Sequence, residues 1–290
     1  MSDIINLKPM YRGSELVKVM DGKLPYMSLH CATDLPLTRY DRRLTQDERN
    51  KPINLEYIGN KIHQTLQISY NTEMTDGGAP SVAIYNILAA IYWKMQEDGY
   101  NSNGTLCWDG INWIRKRTGC HPDVIKSDLT KLTTLHIKGN NILYDINEKK
   151  YRVEDDFQPF RRFIRLYEGD SKLPRHVIFK IDPDFLSYIQ NNLIHTNQTY
   201  WDYIRMKSIL AKLLFIRLIK YFYDRDYYHA DMERLGRWLL LENKSVYSMR
   251  QSFERAGEEL KKIGLLKRVP IIERSKTDRK RFTLGFIKND

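Results

Sequence analysis

The chain has 290 residues, with 47 lysines and arginines against 36 aspartates and glutamates, which gives a formal net charge of +11. Hydrophobic residues make up 42% of the sequence and aromatic residues 12%, a composition that excludes a disordered or low-complexity chain and favours two folded domains. The longest apolar stretch, residues 209–223, contains three basic residues and is too short for a membrane span. The first residues lack the pattern of a secretory signal, so a cytoplasmic location is expected.

Residues 1–60 are predicted to form an irregular N-terminal arm. Glycine and proline recur there without a sustained hydrophobic period, and only short helices are expected, near residues 14–20 and 46–50. Residues 63–70 then alternate apolar and polar side chains, which is typical of a half-buried strand. The first folded domain is therefore placed at residues 61–160.

The order of elements in this first domain is typical of a winged helix-turn-helix. Apolar residues recur at helical spacing over 81–98, and a short strand at 105–108 follows. Two further helices are predicted at 110–117 and 122–132, the second with a proline in its first turn. Segments expected to form the hairpin wing follow at 134–138, 142–146 and 151–154.

The same order of elements returns in residues 201–290. Three helices are predicted there, followed by a hairpin: helices at 202–223, 230–241 and 244–263, and strands at 265–272 and 281–287. Residues 161–200 are expected to be a strand-rich connecting segment, with strands at 161–167 and 176–181 and a helix at 183–191. The duplicated order predicts an α+β, mainly helical fold of tandem winged helix-turn-helix domains with short β-hairpin wings.

Positive charge is concentrated in the last third of the chain. Residues 201–290 contain 21 lysines and arginines against 12 acidic residues, a net +9, whereas residues 1–200 carry a net +2. A basic excess in one folded region is typical of a protein that binds a polyanion, because each Lys or Arg contact with a phosphate releases condensed counterions. A solvated basic face is the alternative interpretation of the charge alone.

The helix at 244–263 is predicted to lie in the major groove of double-stranded DNA. Its inward residues are expected to be Val246, Met249, Phe253, Ala256, Leu260 and Ile263. Its outward residues are candidates for base contacts, because Arg can bond guanine and Gln can bond adenine through two hydrogen bonds. These candidates are Lys244, Ser245, Ser248, Arg250, Gln251 and Arg255. The hairpin tip is expected to bind phosphates or the minor groove through Arg274, Lys276, Arg279, Lys280 and Arg281.

The corresponding helix of the first domain is expected to bind DNA more weakly. Its candidate contact residues are His121, Lys126, Ser127 and Lys131. Asp123 and Asp128 lie on the same helix and reduce its positive charge. A purely structural role for this helix is the alternative interpretation.

Catalytic and metal-binding patterns are absent from the sequence. There is no Gly-rich phosphate loop for ATP hydrolysis, and no pair of histidines with a following tyrosine such as a metal-assisted nicking reaction would use. Cys31, Cys107 and Cys120 are too few and too scattered for a disulfide framework or a structural zinc site, and are expected to be small buried hydrophobes. The sequence therefore predicts a protein without enzyme activity, cofactor or metal.

Several segments between about Leu66 and Leu266 carry a family resemblance. They are Gly78-Ala79-Pro80 before the first long helix, residues 84–93 within it, 163–167 in the connecting segment, 206–214 leading into 221–223, and 253–266 at the last helix. These patterns of apolar and basic positions resemble plasmid replication initiators of the initiator protein A type, which are related to tandem winged-helix initiators. Residues 1–60 carry no pattern of this family.

The resemblance implies a protein that binds direct repeats in a replication origin, helps to open adjacent A·T-rich DNA and brings in host helicase or initiator proteins. Members of related groups also dimerise to repress their own promoter, so a homodimer is a further implied state. A winged-helix transcriptional regulator is the competing hypothesis, and its dimer would read an inverted repeat instead of a direct repeat. A nicking enzyme is a third, which would form a covalent adduct with supercoiled DNA.

Overall fold

The described part of the chain contains both helices and strands. The computed structural model describes residues 26–30, 36–39, 44–58, 63–73, 77–98, 103–145, 148, 150–191, 193–222, 225–241, 244–275 and 281–289. The helices within these residues are α1 (Gln46–Asn50), α2 (Ile84–Asp98), α3 (Asn112–Thr118), α4 (Pro122–Leu132), α5 (Pro183–Asn191), α6 (Tyr200–Arg205), α7 (Ile209–Phe222), α8 (Met232–Trp238) and α9 (Val246–Lys262). The strands are β1 (Tyr26–His30), β2 (Ile53–Ile58), β3 (His63–Tyr70), β4 (Thr105–Trp108), β5 (Leu135–Asn140), β6 (Tyr144–Asp145), β7 (Lys150–Tyr151), β8 (Glu154–Phe157), β9 (Phe160–Leu166), β10 (His176–Ile181), β11 (Leu193–Thr199), β12 (Tyr227–Asp231), β13 (Ile271–Arg274) and β14 (Phe282–Ile287).

The strands of the described residues pair antiparallel. The largest sheet has four strands in the order β2-β3-β5-β8. Two three-stranded sheets have the orders β4-β10-β9 and β12-β14-β13. Two-stranded ladders join β1 to β11 and β6 to β7. Several of these pairs join strands that are far apart in the sequence.

The fold class expected from the sequence is wrong. The described residues form an α+β structure whose strands lie in several antiparallel sheets, so it is not mainly helical, and no winged helix is shown among them. Three antiparallel sheets of three or four strands carry most of the strand content. The spacing of hydrophobic residues shows where a strand lies but not which strand it pairs with. The expected winged-helix domains required each strand to pair with its neighbour in the sequence.

The hairpin expected after α4 shows this error directly. Strand β5 pairs on one edge with β3 and on the other with β8, while β6 and β7 form a separate ladder of two residues each. The pairing with β3 places Ile137 opposite Ile68 and Leu135 opposite Tyr70, all of them buried. Burial of these apolar side chains stabilises the long-range pairing over a local hairpin.

Residues 160–181 belong to a sheet and are not simply a connection. Strand β10 pairs with β9 on one side and with β4 on the other, so it extends a sheet that begins at residue 105. Strand β9 packs against α4. Val177, Phe179 and Ile181 alternate with less buried residues along β10 and face the core.

Two helices expected in the last third are divided differently. The single helix expected at residues 202–223 is two helices, α6 and α7, and the chain between them leaves the helical conformation at Met206. The backbone amide of Ala211 donates to Ser208 Oγ, which caps α7. Residues 227–231 of the region expected to lead into the second helix form β12, and α8 begins after its N-cap, Asp231.

A continuous hydrophobic core joins the two halves of the chain. Helices α2 and α7 are buried on nearly all sides, as expected for helices that are apolar around their circumference. Helix α2 packs against α6, where the rings of Trp93 and Tyr200 stack with centroids 6.1 Å apart. Helix α8 packs against β2, and α9 packs against α7. Residues 53–58, assigned to the irregular arm from the sequence, therefore contribute a strand to this core.

The sequence located several elements with their correct bounds. Strands β3, β4 and β10 and helices α1, α4 and α5 lie where the patterns predicted them. Cys107 and Cys120 are free and only half-buried. The helix expected near residues 14–20 and Cys31 lie outside the described residues. No helix in the described ranges has the length and apolar character that crossing a membrane requires.

Candidate nucleic-acid interface

Helix α9 presents one face to the core and the opposite face to solvent. It begins after Ser245, whose hydroxyl oxygen accepts a hydrogen bond of 3.2 Å from the Ser248 amide. Met249, Phe253 and Leu260 are buried, which fixes the inner face. Val246 was expected to face inward, but 38% of its surface is exposed. The solvent face of α9 is the candidate interface.

Three of the predicted contact residues help to form the start of α9. Ser245 is its N-cap, and Lys244 Nζ donates to Ser252 Oγ across 3.0 Å. Ser248 is half-buried, and its carbonyl oxygen accepts from Ser252 Oγ. These residues hold the first two turns of the helix in place, so part of their hydrogen-bonding capacity is used within the protein.

One row of side chains runs along the solvent face of α9. Tyr247, Gln251 and Arg255 are spaced four residues apart, which places them on the same face of a helix, and we call them the outer row. Arg255 is exposed, Gln251 is half-buried, and Tyr247 is 71% exposed. Gln251 and Arg255 were predicted from the sequence, whereas Tyr247 was missed. Its spacing from Gln251 was the signal that could have identified it.

Arg250 is exposed beside the outer row and is engaged in an ion pair. Its Nε donates to Glu254 Oε1 across 2.9 Å, an i,i+4 pair on the helix surface. Such a pair is worth only about 0.3–0.5 kcal/mol, so it orients the guanidinium without preventing other contacts. Glu258 is also exposed on α9. The face therefore combines basic and acidic groups, which the sequence interpretation did not take into account.

Two arginines lie at the same end of the hairpin that follows α9, one where β13 ends and the other just before β14 begins. Arg274 ends β13 opposite Phe282 of β14, and the Ser275 amide donates to the Arg281 carbonyl oxygen across 2.8 Å. Arg274 and Arg281 are both exposed. The other predicted tip residues, Lys276, Arg279 and Lys280, lie outside the described residues.

The candidate residues of α4 are less available than those of α9. His121 is the N-cap, and its Nδ1 accepts from the Asp123 amide. Lys126 Nζ lies 2.7 Å from Asp123 Oδ1, and this hydrogen bond holds the pKa of the Asp123 carboxyl below its usual value. Ser127 and Lys131 are half-buried. Among these four candidates, His121 alone is largely exposed.

Asp128 on α4 has a structural position. It is buried, and its carboxylate accepts hydrogen bonds from the Ser81 amide, at 2.7 Å, and from the Ser81 hydroxyl. Burial raises the pKa of the Asp128 carboxyl, while these hydrogen bonds from Ser81 oppose that shift. The residue therefore connects α4 to the segment before α2 and does not act as a surface charge.

A second basic hairpin was missed from the sequence. Strand β9, which pairs with β10, exposes Arg162 and Arg165, and its end exposes Leu166 and Tyr167. Arg162 lies opposite Lys180 across the ladder. The arginines of β9 were visible in the sequence, but the pairing of β9 with β10 and of β10 with β4 was not.

A half-buried glutamate joins α9 to the segment between α6 and α7, and a buried lysine joins α7 to α6. The Glu259 carboxylate accepts from the Lys207 amide at 2.8 Å and from the Ser208 amide. Lys212 Nζ donates to the carbonyl oxygens of Tyr203 and Ile204 at the end of α6. Burial lowers the pKa of Lys212 to about 7, although the nearby Glu259 charge opposes the shift. The Glu259 contacts fix α9 relative to the core, and the Lys212 contacts fix α7 relative to α6.

The described residues hold no group of three or more His, Cys, Asp or Glu side chains that could bind a metal ion. What the geometry offers instead is a set of cationic, amide and aromatic side chains on one helix, next to a hairpin with exposed arginines. Such groups bind phosphates and the edges of bases.

Two crystal structures of RctB, a replication initiator, are similar to this chain. RctB domains 2-3 (RctB-155-483) match with a TM-score of 0.52 at 12% identity, over 89% of this chain and 96% of that chain. The SeMet derivatives of RctB domain 2 and domain 3 match with a TM-score of 0.49 at 10% identity, over 87% and 94%. No family model and no curated protein sequence matches the chain.

Proposed function

We propose that this chain is a sequence-specific double-stranded DNA-binding protein that initiates plasmid replication by binding direct repeats at an origin. The observation that carries the proposal is the solvent face of α9, where Gln251 and Arg255 of the outer row lie beside Arg250. These side chains are of the types that read adenine and guanine in the major groove. The protein acts without an enzymatic step of its own.

The charge distribution supports DNA as the partner. Residues 201–290 carry a net +9, and Arg274 and Arg281 are exposed at the end of the hairpin that follows α9. This excess is sufficient for about 5–8 phosphate contacts, each of which adds about −0.9 to the slope of log affinity against log salt. A binding constant that changed little between about 50 and 200 mM salt would contradict the proposal.

Among the possible DNA-binding functions, the similarity of the fold to RctB supports the role of an initiator. This support comes from the fold alone. The resemblance of segments between residues 66 and 266 to plasmid initiators of the initiator protein A type supports the more specific role. On this proposal the protein acts in the cytoplasm of a bacterium, binds origin repeats, and brings in host helicase or initiator proteins.

The test is footprinting on the DNA that flanks the gene for this protein, followed by titration of the protected duplex. Binding to tandem direct repeats is expected, whereas protection of a single inverted repeat would favour a transcriptional regulator. The variant Arg250→Ala/Gln251→Ala should lose the specific footprint. Lys261→Ala/Lys262→Ala is the matched control, because these lysines lie on the same helix about 17 Å further along it. Footprints that are lost equally in both variants would contradict the assignment of the interface.

A further inference from the structure

Two adjacent apolar side chains are exposed in the first turn of α9. Val246 is 38% exposed and Tyr247 is 71% exposed, although Met249 and Phe253 of the same helix are buried. Together they form apolar surface at the tip of a helix whose other exposed side chains are mostly charged or polar. Exposed apolar groups placed next to each other are available to contact a partner.

The position of these side chains corresponds to the part of a recognition helix that reaches base edges. The N-terminal residues of such a helix contact base edges in the major groove. Val246 and Tyr247 directly follow the N-cap, Ser245, and Arg255 lies more than two turns further along. If the helix enters the groove, its tip therefore presents apolar groups to the bases.

The major groove offers one apolar group on the base edges, the C5 methyl group of thymine. We propose that Val246 and Tyr247 read thymine through this methyl group, an inference that rests on the proposed function. The net +9 of residues 201–290 favours DNA over an apolar protein partner as the occupant of this surface. Helix α4 shows a parallel arrangement, since Val124 in its first turn is also exposed.

The experiment compares thymine with uracil, which lacks only the methyl group. The full chain is first used to select a duplex from a random DNA library. The selected duplex is then synthesised with thymine or with uracil at every T position, and both are titrated by fluorescence anisotropy. The wild-type protein should bind the uracil duplex about fourfold more weakly for one contacted methyl group and about 15-fold more weakly for two.

Two variants assign the effect to these side chains. Val246→Ala/Tyr247→Ala should bind the thymine and uracil duplexes with equal affinity, because the groups that contact the methyl are gone. Val153→Ala is the matched control, since Val153 is 79% exposed at a different place, and it should keep the wild-type preference. Circular dichroism spectra should be the same for all three proteins, because each replaced side chain is exposed.

Several outcomes would overturn the inference. A selected consensus without thymine, or equal wild-type affinity for the two duplexes, would refute methyl reading but leave DNA binding in place. A thymine preference that persists in Val246→Ala/Tyr247→Ala would show that other residues read the methyl group. If no duplex is enriched at all, the proposed function and this inference both fail.

Discussion

Replacement of Arg250 by alanine is expected to separate base recognition from general attraction to DNA. Arg250 is exposed at the side of α9 and is oriented by Glu254, whose carboxylate lies 2.9 Å from its Nε. A two-bond contact between Arg and guanine is worth about 1–3 kcal/mol of discrimination, well above the 0.3–0.5 kcal/mol or so of the helix-surface pair. Arg250→Ala should therefore weaken binding to the specific duplex by about 1–3 kcal/mol, with a much smaller loss on a scrambled duplex.

The ion pair provides a second, opposite perturbation. Glu254→Gln removes a negative charge beside Arg250 and releases its guanidinium, so affinity should rise by about 0.3–0.5 kcal/mol, or roughly twofold. The gain should be smaller in an Arg250→Ala background, because part of it acts through the arginine. Anisotropy titrations against specific and scrambled duplexes at two salt concentrations measure both effects. Equal losses on the two duplexes for Arg250→Ala would refute the placement of the recognition face.

Three further predictions concern the core that holds α9. Because the folded state holds the pKa of Lys212 at about 7, below its ordinary 10.5, the unfolded chain binds more protons above pH 7, and stability should rise by up to about 1.4 kcal/mol per pH unit between roughly pH 7 and 8.5. Lys212→Met should flatten this slope in urea unfolding, and an unchanged slope would count against the buried charge. Gly257→Ala should destabilise the fold by about 1–3 kcal/mol, since a Cβ there would clash with Pro270 Cδ. A change in unfolding free energy below about 0.5 kcal/mol in the same assay would show that α9 moves to accommodate the methyl group. Cutting the chain after residue 200 separates α6 from α2 and α8 from β2. Calorimetry should therefore show that neither fragment unfolds as cooperatively as the whole chain. Full DNA affinity in one fragment would contradict the expectation that each fragment depends on the shared core.

Local patterns in the sequence located elements well where the physical determinants are local. Helix α4 begins after His121 with a proline in its first turn and buries Ile125, Leu129 and Leu132 at helical spacing. Strand β3 alternates buried and more exposed residues, as its sequence does. In both cases the period of the apolar residues and the chemistry of the ends are sufficient.

Sheet pairing could not be predicted because it depends on residues far apart in the chain. Thr65 on β3 lies opposite Asn140 on β5, and Thr105 on β4 lies opposite Lys180 on β10. Strand β2 lies in a region with several turn-forming residues, where its partner β3 and helix α8 stabilise it. Contacts between strands that are distant in the sequence form only when the chain folds. The local sequence therefore does not identify the partner of a strand.

The candidate site was predicted in part. Some of the missed features could have been predicted from residue spacing, and others could not. The pairing of Arg250 with Glu254, and of Lys126 with Asp123, follows from i,i+4 and i,i+3 spacing and was open to prediction. The exposure of Val246 was not open to prediction, because helical spacing assigned it to the inner face, whereas the helix begins there and its first residue lies beyond the core.

If the protein contacts DNA through both halves, as proposed, its continuous core sets the distance between those contacts. Since β2 packs against α8 and α2 against α6, the separation between the basic groups of the two halves is set by the core and not by a flexible tether. Adding one base pair to the spacing between two contacts on a duplex moves them by about 3.4 Å and rotates them by about 34–36°, and five base pairs place them on opposite sides. A rigid protein that touches DNA through both halves therefore accepts repeats of one internal spacing, and origins that carry insertions there would be excluded by geometry even with every contacted base intact.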